Sequence, residues 1–268
     1  MKGYIYKLPQ QSQKKNFLFN MMGSLTNAMV SMMLLVVVSY IVGVSDAGVF
    51  SVAFSTAQMI NAICVFEMRN IQVTDANREF SFSNVTSFRL ITILAAWTFF
   101  VGFAIMRGYH GETLYVMIAL IAYMSLLSVS DLFQGNMHLN GYLSLAGKSL
   151  TCEILMAATA FTITLLITKN LLFSVTAMIV IVVAWIFLFD IPVSNNFAKF
   201  KPTFNFTAIK KMFLCAVPLF LSTFSHQYIF NSPKYAIEET LSRADQAHYG
   251  YLVMPVFAIN LLSIFIFR

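Results

Sequence analysis

Charged residues are scarce in this chain of 268 residues: 10% are Asp, Glu, Lys or Arg, whereas 59% are hydrophobic. Soluble domains usually carry about 25% charged residues. A water-soluble fold cannot remove this much apolar surface from solvent, because much of its area faces water even when its core is well packed. The composition therefore excludes an ordinary soluble domain and predicts that lipid surrounds most of the chain.

Motifs for ATP hydrolysis, metal binding and nucleophilic hydrolysis are also lacking. The sequence contains no Walker A loop, no HExxH and no GxSxG. Its three cysteines, Cys64, Cys152 and Cys215, stand singly in apolar runs without a CxxC spacing. This pattern predicts small core residues and neither a disulfide framework nor a zinc site. We therefore expect no catalytic residue, no metal and no cofactor, and a protein that is not an enzyme.

Long apolar runs dominate what is present. A helix needs about 20 apolar residues to cross the hydrocarbon core of a bilayer. Backbone polar groups in lipid must also pair within the protein. We therefore predict an all-α membrane protein with eight transmembrane helices. The predicted spans are 17–44, 47–66, 90–106, 113–130, 150–168, 171–189, 212–230 and 249–267.

The distribution of Lys and Arg predicts the orientation of these spans. If the N-terminus is cytoplasmic, 13 of the 17 basic residues lie on the cytoplasmic side. Such a bias over short loops favours that orientation. It also explains the net charge of +6 without nucleic acid as a partner. The four basic residues predicted outside are Arg107, Lys169, Lys234 and Arg243.

Short turns and a weak repeat suggest how the spans are organised. We predict tight outer turns at Ser45-Asp46 and at Lys169-Asn170, and a linker between two halves at 191–211. Asp46 and Asp245 lie 199 residues apart, and each is followed by an aromatic residue near the start of a span. Six spans separate the two copies, so both hairpins point the same way, as in a parallel repeat.

Ionisable side chains at membrane depth cost about 2.5–3.5 kcal/mol, so each is a candidate for function. Arg89, Asp131 and Glu153 are predicted near the cytoplasmic boundary. There they either reach the interface or meet as a charged cluster at the inner mouth of a cavity. Asp190 is predicted to reach the interface. His226 lies deeper, and it either bonds a neighbouring helix or faces a substrate path.

Uncharged polar residues recur inside the predicted spans. They either form hydrogen bonds between helices or line a hydrated central cavity. Pro218 and Pro255 also lie inside spans, where proline removes a helix hydrogen bond and favours a kink. The polar residues are Asn20, Asn27, Gln58, Asn61, Ser222, Ser225, Gln227 and Asn260.

Three stretches resemble the multidrug/oligosaccharidyl-lipid/polysaccharide (MOP) exporter superfamily. They are residues 43–50 (GVSDAGVF), residues 68–75 (MRNIQVTD) with Arg89 beyond, and residues 231–237 (NSPKYAI) with their continuation to Asn260. The last two are similar to bacterial polysaccharide or lipopolysaccharide biosynthesis flippases. None of the motifs is catalytic, and the intervening spans match mainly in hydrophobicity. The resemblance therefore rests on the order and placement of these motifs.

The resemblance implies a fold and a function. The fold is two six-helix lobes around a central cavity that opens alternately to either side. Residues 1–197 would form the N-terminal six-helix lobe and residues 198–268 the first two helices of a second lobe, so we expect a fragment of a longer protein. The implied activity is to flip an undecaprenyl-diphosphate-linked oligosaccharide, an O-antigen- or capsule-type repeat unit. The oligosaccharide moves from the inner to the outer leaflet of the bacterial plasma membrane.

The resemblance also suggests roles for individual residues. Arg69 and Arg89 are the cations that we expect to bind the diphosphate, and Asp46 and Lys234 are expected to latch the outer gate. The expected partners are the lipid-linked oligosaccharide, membrane lipids and, as in some transporters of this kind, a coupling ion. Asp131, Glu153 and His226 complete the candidate cavity residues.

Several other functions remain open from the sequence alone. A drug or cation exporter of the same superfamily would have a small acidic cavity, whereas a lipid-linked glycan calls for a large basic one. A membrane-embedded glycan-modifying enzyme, such as an acyltransferase, would need a positioned acid–base pair. A scaffold without transport activity would have a tightly packed interior, and a fragment would not function by itself.

Overall fold

A computed structural model describes residues 13–75 and 77–267, and α-helices joined by short connections make up this part of the chain. No strand occurs among these residues. The helices are α1 (Gln13–Val42), α2 (Val44–Val65), α3 (Met68–Thr74), α4 (Phe82–Arg107), α5 (Gly111–Leu139), α6 (Leu143–Thr168), α7 (Leu171–Trp185), a π-helix (Ile186–Asp190), α8 (Ile191–Ser194), α9 (Phe206–Thr240) and α10 (Arg243–Phe267).

Seven helices within the described residues are long and apolar enough to cross a membrane. The segment predicted as the eighth span is also helical, as α10, although several of its side chains lie outside the described residues. Large apolar side chains stand exposed on the outer helix faces; Tyr40 and Met106 are 91% and 88% exposed. The predicted fold class, an all-α membrane protein, is confirmed.

Helix ends differ most from the prediction, because polar residues extend the helices beyond their apolar runs. Helix α5 continues past residue 130 to Leu139, and α9 continues past residue 230 to Thr240. In α5 the added residues include Gln134 and Asn136, whose side chains are buried and hydrogen-bonded. Their contacts with neighbouring helices replace contact with lipid, so hydropathy alone does not mark these ends.

The two predicted outer turns have different outcomes. The chain breaks at Gly43, which has a φ of +107°, while Ser45 and Asp46 already belong to the first turn of α2. The turn therefore lies at Gly43 and not at Ser45-Asp46, because glycine adopts a positive φ without steric cost. The second turn is confirmed: Lys169 has a φ of +50°, and the side chain of Asn170 caps α7.

The segment 191–211, predicted as a linker, begins as a continuation of α7. Pro192 has no N–H group, so it cannot bond the carbonyl four residues earlier. The helix instead widens into a π-helix, in which the Ile191 N–H donates to the Ile186 carbonyl. The chain leaves helical structure only at residues 195–205. This short connection packs against α5, with the centre of the Phe200 ring 5.2 Å from that of Phe133.

Two close helix contacts organise the bundle. Helices α1 and α6 meet at Gly147, where a Cβ atom would overlap the backbone of Phe19. Helices α2 and α10 meet at Gly48, where a Cβ atom would overlap the backbone of Arg243. Of the seven spans, those formed by α2 and α5 are the most deeply buried inside the protein. They form the centre, and the pair α9–α10 packs against one side of it.

Candidate functional site

A recess lies where the first hairpin, α1–α2, faces the hairpin α9–α10. Its empty volume is about 540 Å³, part of it open to the outside. Apolar side chains form most of the wall. The polar side chains that line it belong to α1, α2 and α9. The lining residues are Ser31, Met32, Leu35, Phe50, Ser51, Phe54, Gln58, Phe230, Lys234, Gly250 and Val253.

Lys234 supplies the positive charge of this recess. The sequence predicted it in an outer loop, but α9 continues through it and carries it between the two hairpins. Its Nζ atom donates to the Ser55 Oγ atom at 2.6 Å. No carboxylate lies within ion-pair distance of Lys234 in the described part of the chain. The nearby Ser51 hydroxyl is buried without a hydrogen-bond partner.

The C-terminal ends of α4 and α9 are joined by an ion-pair cluster that the sequence did not predict. Arg107 pairs with Glu238 at 3.5 Å and also with Glu239. The Tyr109 hydroxyl donates to Glu238 at 2.6 Å, and burial together with this bond raises the pKa of Tyr109. The gate role predicted for Asp46 and Lys234 stays a prediction, and the two residues form no ion pair with each other among the described residues. Asp46 lies in the first turn of α2, outside the described ion pairs, whereas Lys234 bonds Ser55.

Two arginines share one carboxylate where α3, α4 and α5 meet. Arg69 of α3 donates to Asp131 Oδ1 at 2.6 Å, and Arg89 of α4 donates to Asp131 Oδ2 at 2.9 Å. Arg89 is 1% exposed and also donates to the Cys64 carbonyl at 2.9 Å. Both arginines that were expected to bind the diphosphate therefore already pair with oxygen atoms of the protein. They do not line the recess beside Lys234.

A second group of buried carboxylates lies next to this cluster. Ser130 Oγ is 2.8 Å from Glu153 Oε2 and 2.5 Å from Asp190 Oδ2. Gln134 joins the two groups, because it contacts both Ser130 and Arg69. Arg89 and Asp131 therefore pair directly, whereas Glu153 is linked to this pair only through Gln134 and Arg69. The position of these residues at the inner mouth of a cavity stays a prediction.

The prediction for Asp190 was wrong, since its side chain is fully buried instead of reaching the interface. The π-helix ends at Asp190 and positions its carboxylate toward α5 and α6, where Ser149 donates to Oδ1 at 2.7 Å. Ser149 in turn accepts a bond from the Trp185 indole N–H at 2.9 Å. The hydroxyl groups that complete this network belong to Ser130 and Ser149. No motif in the sequence distinguishes these two serines from the others.

The remaining candidates lie apart from these groups. His226 is exposed on α9, as are Ser222 and Ser225, and so does not contact either cluster. Cys64 is buried as predicted, whereas Cys152 and Cys215 are exposed and do not belong to the core. The side chain of Asn260 lies outside the described residues.

Comparison with known proteins adds no assignment: no protein family, no curated protein and no solved structure matches this chain. The functional conclusion is therefore drawn from the residues and their geometry.

Proposed function

We propose that this chain belongs to a membrane transporter that flips a diphosphate-linked lipid oligosaccharide, of the undecaprenyl-diphosphate class, from the inner to the outer leaflet by alternating access. The observation that carries the proposal is the position of Lys234 in a recess between two hairpins without a carboxylate partner. A cation held in apolar surroundings without a counter-ion is costly, and bound anionic cargo would offset that cost.

The walls of the recess suit the other parts of such a cargo. Met32, Phe230 and Val253 are partly exposed and offer apolar surface for a prenyl chain. Ser31 and Gln58 offer hydrogen-bonding groups for sugar hydroxyls. Ligand sites typically combine an apolar wall with a few placed polar groups in this way. The recess therefore matches an amphipathic anion better than a purely polar solute.

The charge of the recess separates this proposal from its competitors. A drug or cation exporter needs an acidic cavity, but the residues that line this recess include a lysine and no carboxylate. A glycan-modifying enzyme needs an acid–base pair that can reach its substrate. Glu153 and Asp190 are close to each other, but both are fully buried and neither lines the recess.

Lys234 is a better candidate for the diphosphate than the two arginines chosen from the sequence. Arg69 and Arg89 both pair with Asp131, so an incoming diphosphate would have to displace a carboxylate that is already in place. Among the described residues, the hydrogen-bond partner of Lys234 is the neutral Ser55 hydroxyl. We therefore assign the diphosphate to Lys234 and a structural role to the Arg69–Asp131–Arg89 cluster.

The first test is binding of radiolabelled farnesyl diphosphate to the purified chain in detergent. We expect Lys234→Gln to weaken binding by about tenfold or more, because a charge-assisted hydrogen bond contributes about 1.5–3 kcal/mol. Lys234→Arg should retain most of the affinity, since it keeps the charge. Lys169→Gln is the matched control, because Lys169 is an exposed lysine in an outer turn.

Farnesol, which has the same chain without the diphosphate, distinguishes the two parts of the ligand. Equal affinity for farnesol and farnesyl diphosphate, or equal affinity in wild type and Lys234→Gln, would refute the assignment of the diphosphate to Lys234. Transport itself is measured in vesicles that contain the chain, as movement of a fluorescent prenyl-diphosphate-linked disaccharide between leaflets.

A further inference from the structure

One buried hydroxyl group contacts two buried carboxylates. Ser130 Oγ lies 2.8 Å from Glu153 Oε2 and 2.5 Å from Asp190 Oδ2, and it accepts a bond from Gln134 Nε2 at 3.0 Å. A serine hydroxyl has one hydrogen to donate. It can therefore satisfy only one of the two carboxylates if both are ionised. The second oxygen–oxygen contact requires another hydrogen, which only a protonated carboxyl group can supply here.

We propose that Glu153 and Asp190 form a proton-binding site, in which one proton is held by Glu153 and directed at Ser130. This inference goes beyond the proposed transport function, and it does not depend on which cargo is moved. The ligand is a proton, because the contacts of 2.5 and 2.8 Å are hydrogen-bond distances between oxygens.

The hydrogen-bond partners indicate which carboxyl group carries the proton. Asp190 receives hydrogens from two hydroxyls, those of Ser130 and Ser149, as an ionised carboxylate does. Glu153 Oε1 is buried and has no partner in the described residues. An unpartnered oxygen costs much less on a neutral acid than on a buried anion. Glu153 is therefore the protonated member and Asp190 the ionised one.

The charge balance of the surrounding groups supports this assignment. With Glu153 neutral, the positive charges of Arg69 and Arg89 are matched by the negative charges of Asp131 and Asp190. Loss of the proton would leave one uncompensated negative charge in the protein interior, which is unfavourable. Residues 16–42 of α1, the part of this helix whose side chains the structure describes, contain no charged side chain, and α1 packs against α6. The titratable and charged groups that face the pair are Arg69 on α3, Arg89 on α4, and Tyr123 and Asp131 on α5.

The site joins three spans, so its protonation bears on how they pack. Glu153 belongs to α6, Ser130 to α5, and Asp190 to the π-helix that follows α7. Without the proton, the two carboxylates would repel each other across Ser130.

Infrared spectroscopy of the purified chain in detergent tests the proposal directly, because a protonated carboxyl group and a carboxylate have separate carbonyl bands. We expect wild type to show the band of a buried protonated carboxyl at neutral pH and to lose it at high pH. Glu153→Gln should lose the band and keep the fold, since the amide has the same shape and can also donate to Ser130. Glu112→Gln, which changes an exposed glutamate, is the matched control and should keep the band.

Thermal unfolding across a pH range gives a second, independent measurement. The folded chain holds a proton that the unfolded chain releases at neutral pH, so the stability of wild type should fall as the pH rises. Glu153→Gln should show a flatter pH profile. Absence of the band in wild type, or its persistence in Glu153→Gln, would overturn the proposal. No prenyl lipid enters either measurement, so failure here is distinct from failure of the transport proposal.

Discussion

At the scale of single residues, Asp131 is the one carboxylate among the described residues that pairs with two arginines. It binds Arg69 through one oxygen and Arg89 through the other, and it thereby ties α3 and α4 to α5. Arg89 is almost fully buried, so it depends on this one counter-ion. Breaking a buried pair on one side leaves an uncompensated charge, which costs far more than the pair itself contributes.

We expect Asp131→Asn to destabilise the protein by about 3 kcal/mol, the low end for breaking a buried ion pair, because Asp131 is 20% exposed. Thermal unfolding in detergent measures this as a lower midpoint. Glu239→Gln is the control: Glu239 also pairs with an arginine but is 59% exposed, so its loss should have a much smaller effect. Equal midpoints for the two variants would show that the buried cluster is not important for stability.

The sequence predicted part of this cluster for a definite reason. Ionisable residues are few in the spans and are costly in lipid. Arg89, Asp131 and Glu153 could therefore be expected to lie close together. Asp190 could not be placed in this way, because its burial depends on the π-helix that Pro192 imposes. Ser130 was equally unpredictable, since serines are common in these spans and only geometry distinguishes one from another.

At the scale of helices, hydropathy predicted the existence of the spans and missed their ends. Apolar runs identify the part of a helix that contacts lipid, but α5 and α9 continue where polar side chains contact other helices. The largest consequence concerns Lys234. It was placed outside the span because the predicted apolar segment ends at residue 230, yet α9 continues through Pro233 and Lys234.

The contact between α1 and α6 provides a test at this scale. We expect Gly147→Ala to destabilise the protein by about 1–3 kcal/mol, because the added methyl group would overlap the Phe19 backbone, which cannot move aside as a side chain can. Gly102→Ala is the control, since no atom of another residue lies near its Cβ position. If both variants unfold at the temperature of wild type, the two helices are less closely packed than described.

At the scale of the whole molecule, the two hairpins correspond closely. Helix α2 begins at Val44 and α10 at Arg243, the same separation of 199 residues that relates Asp46 to Asp245. Each aspartate lies in the first turn of its helix. The offset was visible in the sequence, but the packing of α2 against α10 was not, because it depends on close approach at Gly48.

The orientation of the bundle in the membrane stays a prediction that labelling can check. In a chain without Cys64, Cys152 and Cys215, we expect a cysteine at position 169 to react with a membrane-impermeant maleimide on intact cells. A cysteine at position 199 should react only after the cells are permeabilised. The positions are comparable, because Lys169 and Lys199 are both exposed. The reverse pattern would place the N-terminus outside.

Helix α9 is longer than the membrane it is expected to cross. Its 35 residues span about 52 Å, whereas the hydrocarbon core is about 30 Å thick. Charged residues mark both ends, Lys211 at one and Glu238 at the other, and about 40 Å of helix separates them, close to the bilayer thickness with its headgroups. A thinner bilayer would force α9 to tilt further. The depth at which the Lys234 ammonium lies then becomes a property of the lipid as well as of the protein.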